Sequence, residues 1–224
     1  MAKVSAIISA YYCADFLQAR LDNLKGQGCE IVVVAQQDSI ESNIASKAKV
    51  TLVETRLIPT IYKAWNLGIT ASSGEYITNA NSDDTHYSGM IQHMAKTLDR
   101  NPKYALVYSD IDMTKEIGGE PSSIYKNAKY APRELMNRCF IGPMPMWRKS
   151  LHDKYGLFDD NYQVAGDYEF WLRIASKGEK FFYLPKSVGI YVDRPDSAEH
   201  RQATRTLWET ARAKSNYRSN KSWQ

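Results

Sequence analysis

Two adjacent carboxylates, Asp83 and Asp84, stand in the segment Asn81-Ser82-Asp83-Asp84, directly after the β-prone run Glu75-Tyr76-Ile77-Thr78-Asn79. A strand that delivers acidic side chains at its carboxyl end places them where open α/β sheets bind ligands. Carboxylates in that position suit a hard divalent cation, Mg2+ or Mn2+, bridging to a diphosphate. Taken alone, an Asp-Asp pair in a loop more often marks a turn or a helix cap. Other metal chemistry finds little support. His86, His93, His152 and His200 are not spaced as a cluster. Cys13, Cys29 and Cys139 are odd in number and contain no CxxC pair. That argues against a disulfide framework or a zinc knuckle, fits a reducing cytoplasm, and leaves all three as expected buried thiols.

The elements that must position this acidic turn read as alternating strands and helices. Val4–Ser9, Glu30–Ala35, Val50–Glu54, Glu75–Asn79 and Tyr104–Ser109 are strand-like runs. Between them, Phe16, Leu17, Leu21 and Leu24 recur at helical spacing, as do Ile61, Ala64, Trp65 and Ile69, and later Met90, Ile91, Met94 and Leu98. Ser72-Ser73-Gly74 reads as the stop of the second of these helices. The pattern predicts βαβ units and a mainly parallel sheet. Residues 113–133 show little periodicity and read as a loop-rich insertion. Beyond it, Phe170, Trp171, Ile174 and Ala175 mark a helix, Phe181–Leu184 and Val188–Val192 two strands, and a stretch around Ala198–Ala213, with Leu207 and Trp208, a last helix.

With 224 residues, 43% hydrophobic and 24% charged, one soluble globular domain is expected. No run of about 18 apolar residues occurs, so no transmembrane helix is expected. The opening Met1–Ser9 reads as a buried strand, since a signal peptide needs a longer apolar core and a cleavage site. The formal charge of +4 is uneven: Arg201, Arg205, Arg212, Lys214, Arg218 and Lys221 face one acid, Glu209, leaving residues 1–199 at −1. Such a tail suits a polyanion or an anionic membrane surface, or is simply a solvated helix with a frayed end.

Taken in order, Val4–Tyr11, Glu30–Ala35, Asn66-Leu67-Gly68-Ile69, Gly74-Glu75-Tyr76-Ile77 and Asn81-Ser82-Asp83-Asp84 resemble the nucleotide-binding half of family 2 glycosyltransferases of the GT-A fold. The match is most specific over Asn66–Asp84, against the pattern N-x-G-I…A-x-G-E-Y-I…D-x-D-D. Ala165–Arg173 resembles the family's E-D-Y-D-L-W-L-R segment, and the resemblance spans roughly residues 3–192. It implies an α/β, Rossmann-like, mostly parallel sheet flanked by helices. Residues 1–110 would form the nucleotide-sugar half, 111–197 the acceptor and catalytic half, and 198–224 a C-terminal helix and basic tail.

The resemblance also implies an inverting transfer from a nucleotide-sugar donor, a UDP-sugar by preference. Asp167 would be the general base, a role compatible with capping the helix that follows. Ser9, Ala10, Tyr11, Gln36, Asn66, Asn81, Asp83 and Arg194 would line the donor, with Tyr11 stacking on the base or lying half-buried at a strand end. The metal would sit on Asp83 with Asp84 beside it. Trp147 and Tyr168 would face the acceptor, with a core aromatic as the other reading of Trp147.

Four departures bear on those roles. Gln36-Gln37-Asp38-Ser39 replaces the usual Asp-Asp-Gly-Ser, whose first Asp reads the uracil; Gln36 can donate and accept and would read a uracil edge, with a different base as the other reading. Asn81 replaces the first acid of D-x-D and would meet a ribose hydroxyl. Gly166 replaces the acid before the base. In Tyr191–Ser197, Arg194 stands where many members carry a metal-approaching His, and an arginine clamps phosphate instead. The acceptor stays open between a surface glycan or lipid-linked sugar and a hydroxymethylated DNA base, the latter needing a flipped base and a basic surface. A degenerate, non-catalytic binding module is the alternative.

Overall fold

β-Branched runs and helical periodicity alternate strictly through the first half of the chain. They give β1 (Val4–Ala10), α1 (Ala14–Lys25), β2 (Glu30–Gln36), α2 (Ile40–Lys47), β3 (Thr51–Thr55), α3 (Ile61–Ala71) and β4 (Tyr76–Asn79). The computed structural model describes residues 3–194, 201–220 and 223. After β4 come β5 (Thr85–His86), α4 (Met90–Arg100), β6 (Tyr104–Thr114), β7 (Ser123–Tyr125), α5 (Pro132–Asn137) and β8 (Met146–Arg148). The chain continues through α6 (Ser150–Tyr155), α7 (Gly166–Ala175), β9 (Lys180–Val192) and α8 (Ala203–Tyr217).

One sheet runs in the order β3-β2-β1-β4-β8-β6-β9-β5, with β7 paired to β6. β1, β2, β3 and β4 are mutually parallel, as are β6 and β9, and the short β8 enters antiparallel between β4 and β6. This is the single α/β, mostly parallel architecture expected from the sequence. Alternate residues feed two cores. Ile7, Val32, Ile77, Leu106 and Trp147 belong to one, and Ala6, Ile8, Val33, Val107 and Met146 to the other. That division follows from the two-residue period of a strand covered on both faces.

Several expected boundaries shift. The runs at 181–184 and 188–192 are one strand, β9: Leu184 pairs with Ser109 and Ser187 with Asp110, so Pro185 and Lys186 form a bulge. The insertion at 113–133 contains β7 and the first residues of α5. α3 ends on Ser72, with Gly74 in the turn into β4. Of the cysteines, Cys13 is buried, whereas Cys29 is half-buried and Cys139 exposed. Inside α3, Gly68 lies so close to the sheet that a Cβ would stand 2.4 Å from the Ile7 side chain. Only glycine permits that helix-to-strand approach.

The C-terminal segment is built onto the domain, although residues 198–200 at its expected start lie outside the described ones. α8 turns Glu209 and Ala213 inward and leaves Leu207 and Trp208 exposed, so the apolar pair does not form the packing face. Glu209 is 1% exposed. Its carboxylate accepts backbone N–H groups of Gln163 at 3.0 Å, Val164 at 2.9 Å and Ala165 at 3.0 Å, immediately before α7.

Trp147, expected to face an acceptor, lies in the core instead, 1% exposed against Phe158 and Trp171. Side chains of α6, α7 and the loop between them cover this face of β8, so the indole has no route to solvent. The Trp147 indole N–H donates to His152 Nε2 at 2.8 Å, and His152 Nδ1 meets the Gly156 carbonyl at 3.2 Å. This arrangement requires the neutral Nδ1–H tautomer, because a second ring proton would point at the indole N–H. Burial holds the His152 pKa down at about 4, against an ordinary 6.5. As pH falls from 6.5 toward 4, the unfolded chain takes up a proton that the native one refuses, so stability drops across that window by about 3 kcal/mol. Denaturant titrations at stepped pH should show this loss, and His152→Gln, which offers the same acceptor and donor without titrating, should flatten it.

Candidate active site

The parallel register brings the ends of β1, β2 and β4 to one edge: Ala10 lies opposite Ala35, and Ile7 opposite Asn79. Tyr11, Gln36 and Asn81 therefore emerge at the carboxyl edge of the sheet, the edge at which open α/β sheets bind ligands. Beyond β1 the chain turns sharply. Tyr12 takes a left-handed φ of 52°, and the Tyr11 and Tyr12 rings stand 4.2 Å apart, 43% and 83% exposed. Cys13 then anchors the loop, its backbone N–H donating to the buried Glu41 at 2.9 Å. Ser9 is half-buried and Ala10 buried at the end of β1. Gln36 closes β2 half-buried, and Asp38, at the position of the family's Gly, has a φ of 59°. Aspartate tolerates that conformation better than most residues.

The two acids after β4 have separate surroundings. Asp84 is 2% exposed, and both its oxygens are engaged: Val192 N–H donates to Oδ1 at 3.1 Å and Asn81 Nδ2 to Oδ2 at 3.0 Å. It braces the end of β4 against the end of β9. Burial first, and then the neighbouring Asp83 charge, raise its pKa to about 7. Asn81 spends its amide nitrogen on that brace, and its Oδ1 is buried with no partner among the described residues. Asp83 is the more open acid, its side chain 20% exposed, and it pairs with Arg194 Nη2 at 3.2 Å. The Arg194 guanidinium also lies 5.7 Å from the Phe16 ring centroid. The remainder of the Tyr191–Ser197 segment beyond Arg194 lies outside the described residues.

Arg20, which no sequence pattern marked, supplies a buried cation to the same region. It is 2% exposed, with Nη1 donating to Asn23 at 2.7 Å and Nη2 to His86 Nδ1 at 2.9 Å. Since guanidinium only donates, His86 accepts through Nδ1 and is neutral, in keeping with a pKa held well below its usual value by burial and by Arg20. Burial lowers the Arg20 pKa to about 10, while Asp84 pulls it the other way.

Asp167 occupies the first turn of α7, half-buried, and the Tyr62 hydroxyl donates to its Oδ1 at 3.0 Å. Tyr62 is 2% exposed, and its pKa is raised well above 10 by burial and then by the Asp167 charge, so the phenol stays a donor. The preceding residue must be Gly166, because a Cβ there would lie 2.8 Å from the Tyr62 ring. An acid at 166 and a tyrosine at 62 therefore exclude each other sterically. Tyr62 was not legible as a site residue: it sits 105 positions from Asp167 and follows an ordinary N-cap, Thr60.

Two further expected site residues are buried and hydrogen-bonded within the protein. Tyr168 is 3% exposed and donates to the Leu135 carbonyl at 2.6 Å, which leaves it inside the α5–α7 packing and away from an acceptor. Asn66 is 8% exposed, and its carboxamide forms a two-way clamp on Phe158, donating to the carbonyl at 2.9 Å and accepting the N–H at 3.0 Å. Its hydrogen bonding thereby holds the 156–165 loop to α3.

Comparison with known proteins gives a consistent answer. The model of the family described as Glycosyl transferase family 2 matches residues 5–156. An uncharacterized glycosyltransferase of Rickettsia typhi is 23% identical over 192 residues, taking in 80% of this chain and 60% of that protein. The uncharacterized glycosyltransferase YwdF of Bacillus subtilis is 29% identical over 204 residues, 84% of this chain and 74% of that protein. The chain thus spans about 60% of the length of the relative from R. typhi and of its counterpart in Rickettsia prowazekii. Among solved structures, S. aureus TarS 1–349 in complex with UDP-GlcNAc superposes with a TM-score of 0.75 at 18% identity, over 96% of this chain and 66% of that one. The mannosyltransferase PcManGT from Pyrobaculum calidifontis, in complex with GDP-Man and Mn2+, gives 0.69 at 19% identity, over 94% and 62%. At such identities the likeness bears on the fold.

The Asn66 clamp yields a direct check. Asn66→Leu strands a buried carbonyl and a buried N–H, and should lower stability by about 2–3 kcal/mol in chemical denaturation.

Proposed function

The chain belongs to glycosyl transferase family 2, and on that premise we propose that it moves a sugar from a nucleotide-sugar donor, a UDP-sugar by preference, to an acceptor hydroxyl with inversion at the anomeric carbon. The observation that carries this reading is the half-buried Asp167 carboxylate at the start of α7, oriented by a buried tyrosine that cannot take its proton. A carboxylate so held accepts the proton of the acceptor hydroxyl as that oxygen attacks the anomeric carbon. The bond from that carbon to the diphosphate oxygen breaks, and the electron pair leaves with the diphosphate.

The donor side is assigned from the residues that emerge at the sheet edge. Tyr11 supplies a ring face for the base, and Gln36, at the end of β2, a neutral edge to hydrogen-bond it. Ser9, Ala10 and Asn81 line the approach to the ribose. Charge on the leaving diphosphate is met by Arg194, whose forked donors suit phosphate. Asp83 is the carboxylate open to a cation, and one carboxylate together with the donor's phosphate oxygens is a set that Mg2+ or Mn2+ accepts. Among the described residues no group of three or more His, Cys, Asp or Glu side chains could hold an ion unaided, so occupancy would depend on the bound donor. When present, the ion adds Lewis-acid stabilisation of the leaving group.

The substitutions at Gln36, Asn81 and Arg194 also favour a second reading, a degenerate domain that binds sugar nucleotides or nucleic acid without turnover. Asp167→Asn separates the two. A transferase should lose about 10³-fold in turnover while keeping donor affinity, whereas a binding module has no turnover to lose. Tyr62→Phe should cost about tenfold in kcat with donor KM unchanged. The assay incubates the protein with UDP-, GDP- and CMP-sugars plus manganese and follows nucleotide release; silence with every donor would sink the transferase reading. Arg194→Ala should weaken UDP binding about tenfold by calorimetry, with or without manganese. An unchanged affinity would remove Arg194 from the diphosphate.

A further inference from the structure

α8 shows solvent a face with a composition unlike the rest of the surface. Leu207 is 74% exposed and Trp208 62% exposed, side by side on a helix where either would ordinarily pack inward. Arg201, Arg205 and Arg218 are exposed on or beside the same face. The one acid among residues 200–224, Glu209, is turned inward onto the loop before α7. Among its own described residues the outer face of α8 therefore carries positive charge and two large apolar side chains and no carboxylate, while at its edge Arg212 lies 5.7 Å from the Trp208 ring centroid and pairs with Asp159 at 3.7 Å. Residues 1–199 have a formal charge of −1, so the excess positive charge of the chain lies in the segment that contains this helix.

We propose that the outer face of α8 docks on an anionic lipid surface, with Leu207 and Trp208 entering the headgroup region and Arg205 and its neighbours meeting lipid phosphates. Trp beside Leu, flanked by arginines, is the composition that lies in a bilayer interface. A tryptophan holds the boundary because its ring is apolar and its N–H is polar. Duplex DNA would satisfy the arginines but leave Leu207 in water, so the apolar pair favours lipid over nucleic acid. Among the described residues no helix is long and apolar enough to cross a membrane, and interfacial contact through α8 requires none.

The position of α8 links this face to the site. Glu209, at the next position after Trp208, holds the backbone of residues 163–165, and α7 with Asp167 follows directly. A bilayer under α8 would thus lie on the side of the molecule where the base is anchored. Resting on the transferase reading, this narrows the acceptor to a hydroxyl carried on a lipid.

The test is sedimentation of the whole protein with vesicles of phosphatidylcholine alone and of phosphatidylcholine mixed with phosphatidylglycerol, with duplex DNA and UDP titrated separately. Binding is expected to the mixed vesicles only, and to weaken as salt rises. Arg205→Ala should weaken it about fivefold, and the pair Leu207→Glu with Trp208→Glu should abolish it while UDP binding, retained by the pair, shows that the variant is folded. A blue shift of tryptophan emission on adding mixed vesicles should vanish in Trp208→Phe. Equal binding to neutral vesicles, indifference to these substitutions, or capture of DNA in preference to anionic lipid would overturn the proposal. UDP titration keeps the two readings apart. Lipid binding lost while UDP binding persists removes the membrane face alone, and lipid binding without donor binding or transfer removes the transferase alone.

Discussion

A single carboxylate determines how the C-terminal third of this molecule is arranged. Glu209 is buried and accepts three consecutive backbone N–H groups ahead of α7. They belong to the loop that leads into α7 and to its N-cap residue, Ala165, which has no side chain of its own to cap the helix. A partner from 44 to 46 positions later accepts them instead. That choice fixes the loop, the pitch at which α7 enters, and the position of Asp167 in its first turn. It also turns Leu207 and Trp208 outward, because the neighbouring residues of a helix cannot share the inward direction. Tyr217 closes the same contact at the far end of α8, donating to Glu169 at 2.5 Å, where Arg173 also pairs.

The acidic turn after β4 shows a comparable economy of charge. Asp83 and Asp84 stand next to each other, and both ionised would repel. The structure separates their duties by burying one in hydrogen bonds and pairing the other with an arginine. Asn81, where the family pattern carries an acid, removes a third negative charge and braces Asp84. Arg194, where many members carry histidine, supplies a permanent cation to Asp83. Arg20 contributes a second from beneath. The departures from the family pattern therefore compensate one another locally: fewer acids to hold an ion, and more fixed positive charge beside the same carboxylate. Gly166 belongs to the same logic on the other side, since the Tyr62 ring fills the space that an acidic side chain would need.

The strands and helices of the first half were legible because their signal is local. An apolar run of β-branched residues and a 3.6-residue repeat each declare themselves within a few positions, and the parallel sheet follows from their alternation. β1 to β4, α1, α3 and α4 match the periodicity to within a few residues. The reading was weaker where the signal was short or interrupted. The bulge at Pro185-Lys186 split one strand into two, and the three-residue β7 is too brief to show a period.

By itself the sequence determined the family, the alternating fold, and the candidate acids, because each rests on residue types at short, ordered spacing. Tertiary structure alone decided which of the candidates have solvent and which have only neighbours. Trp147, Tyr168 and Asn66 carry chemistry on paper, and the fold buries each and gives it a hydrogen-bond partner. Tyr62, Arg20 and Glu209 carry no motif, yet long-range contacts bring each to an acid or to the backbone beside one. The physical reason is the same in both directions. A side chain's availability is set by what the fold places within about 3 Å of it, and those partners come from positions that no local pattern connects.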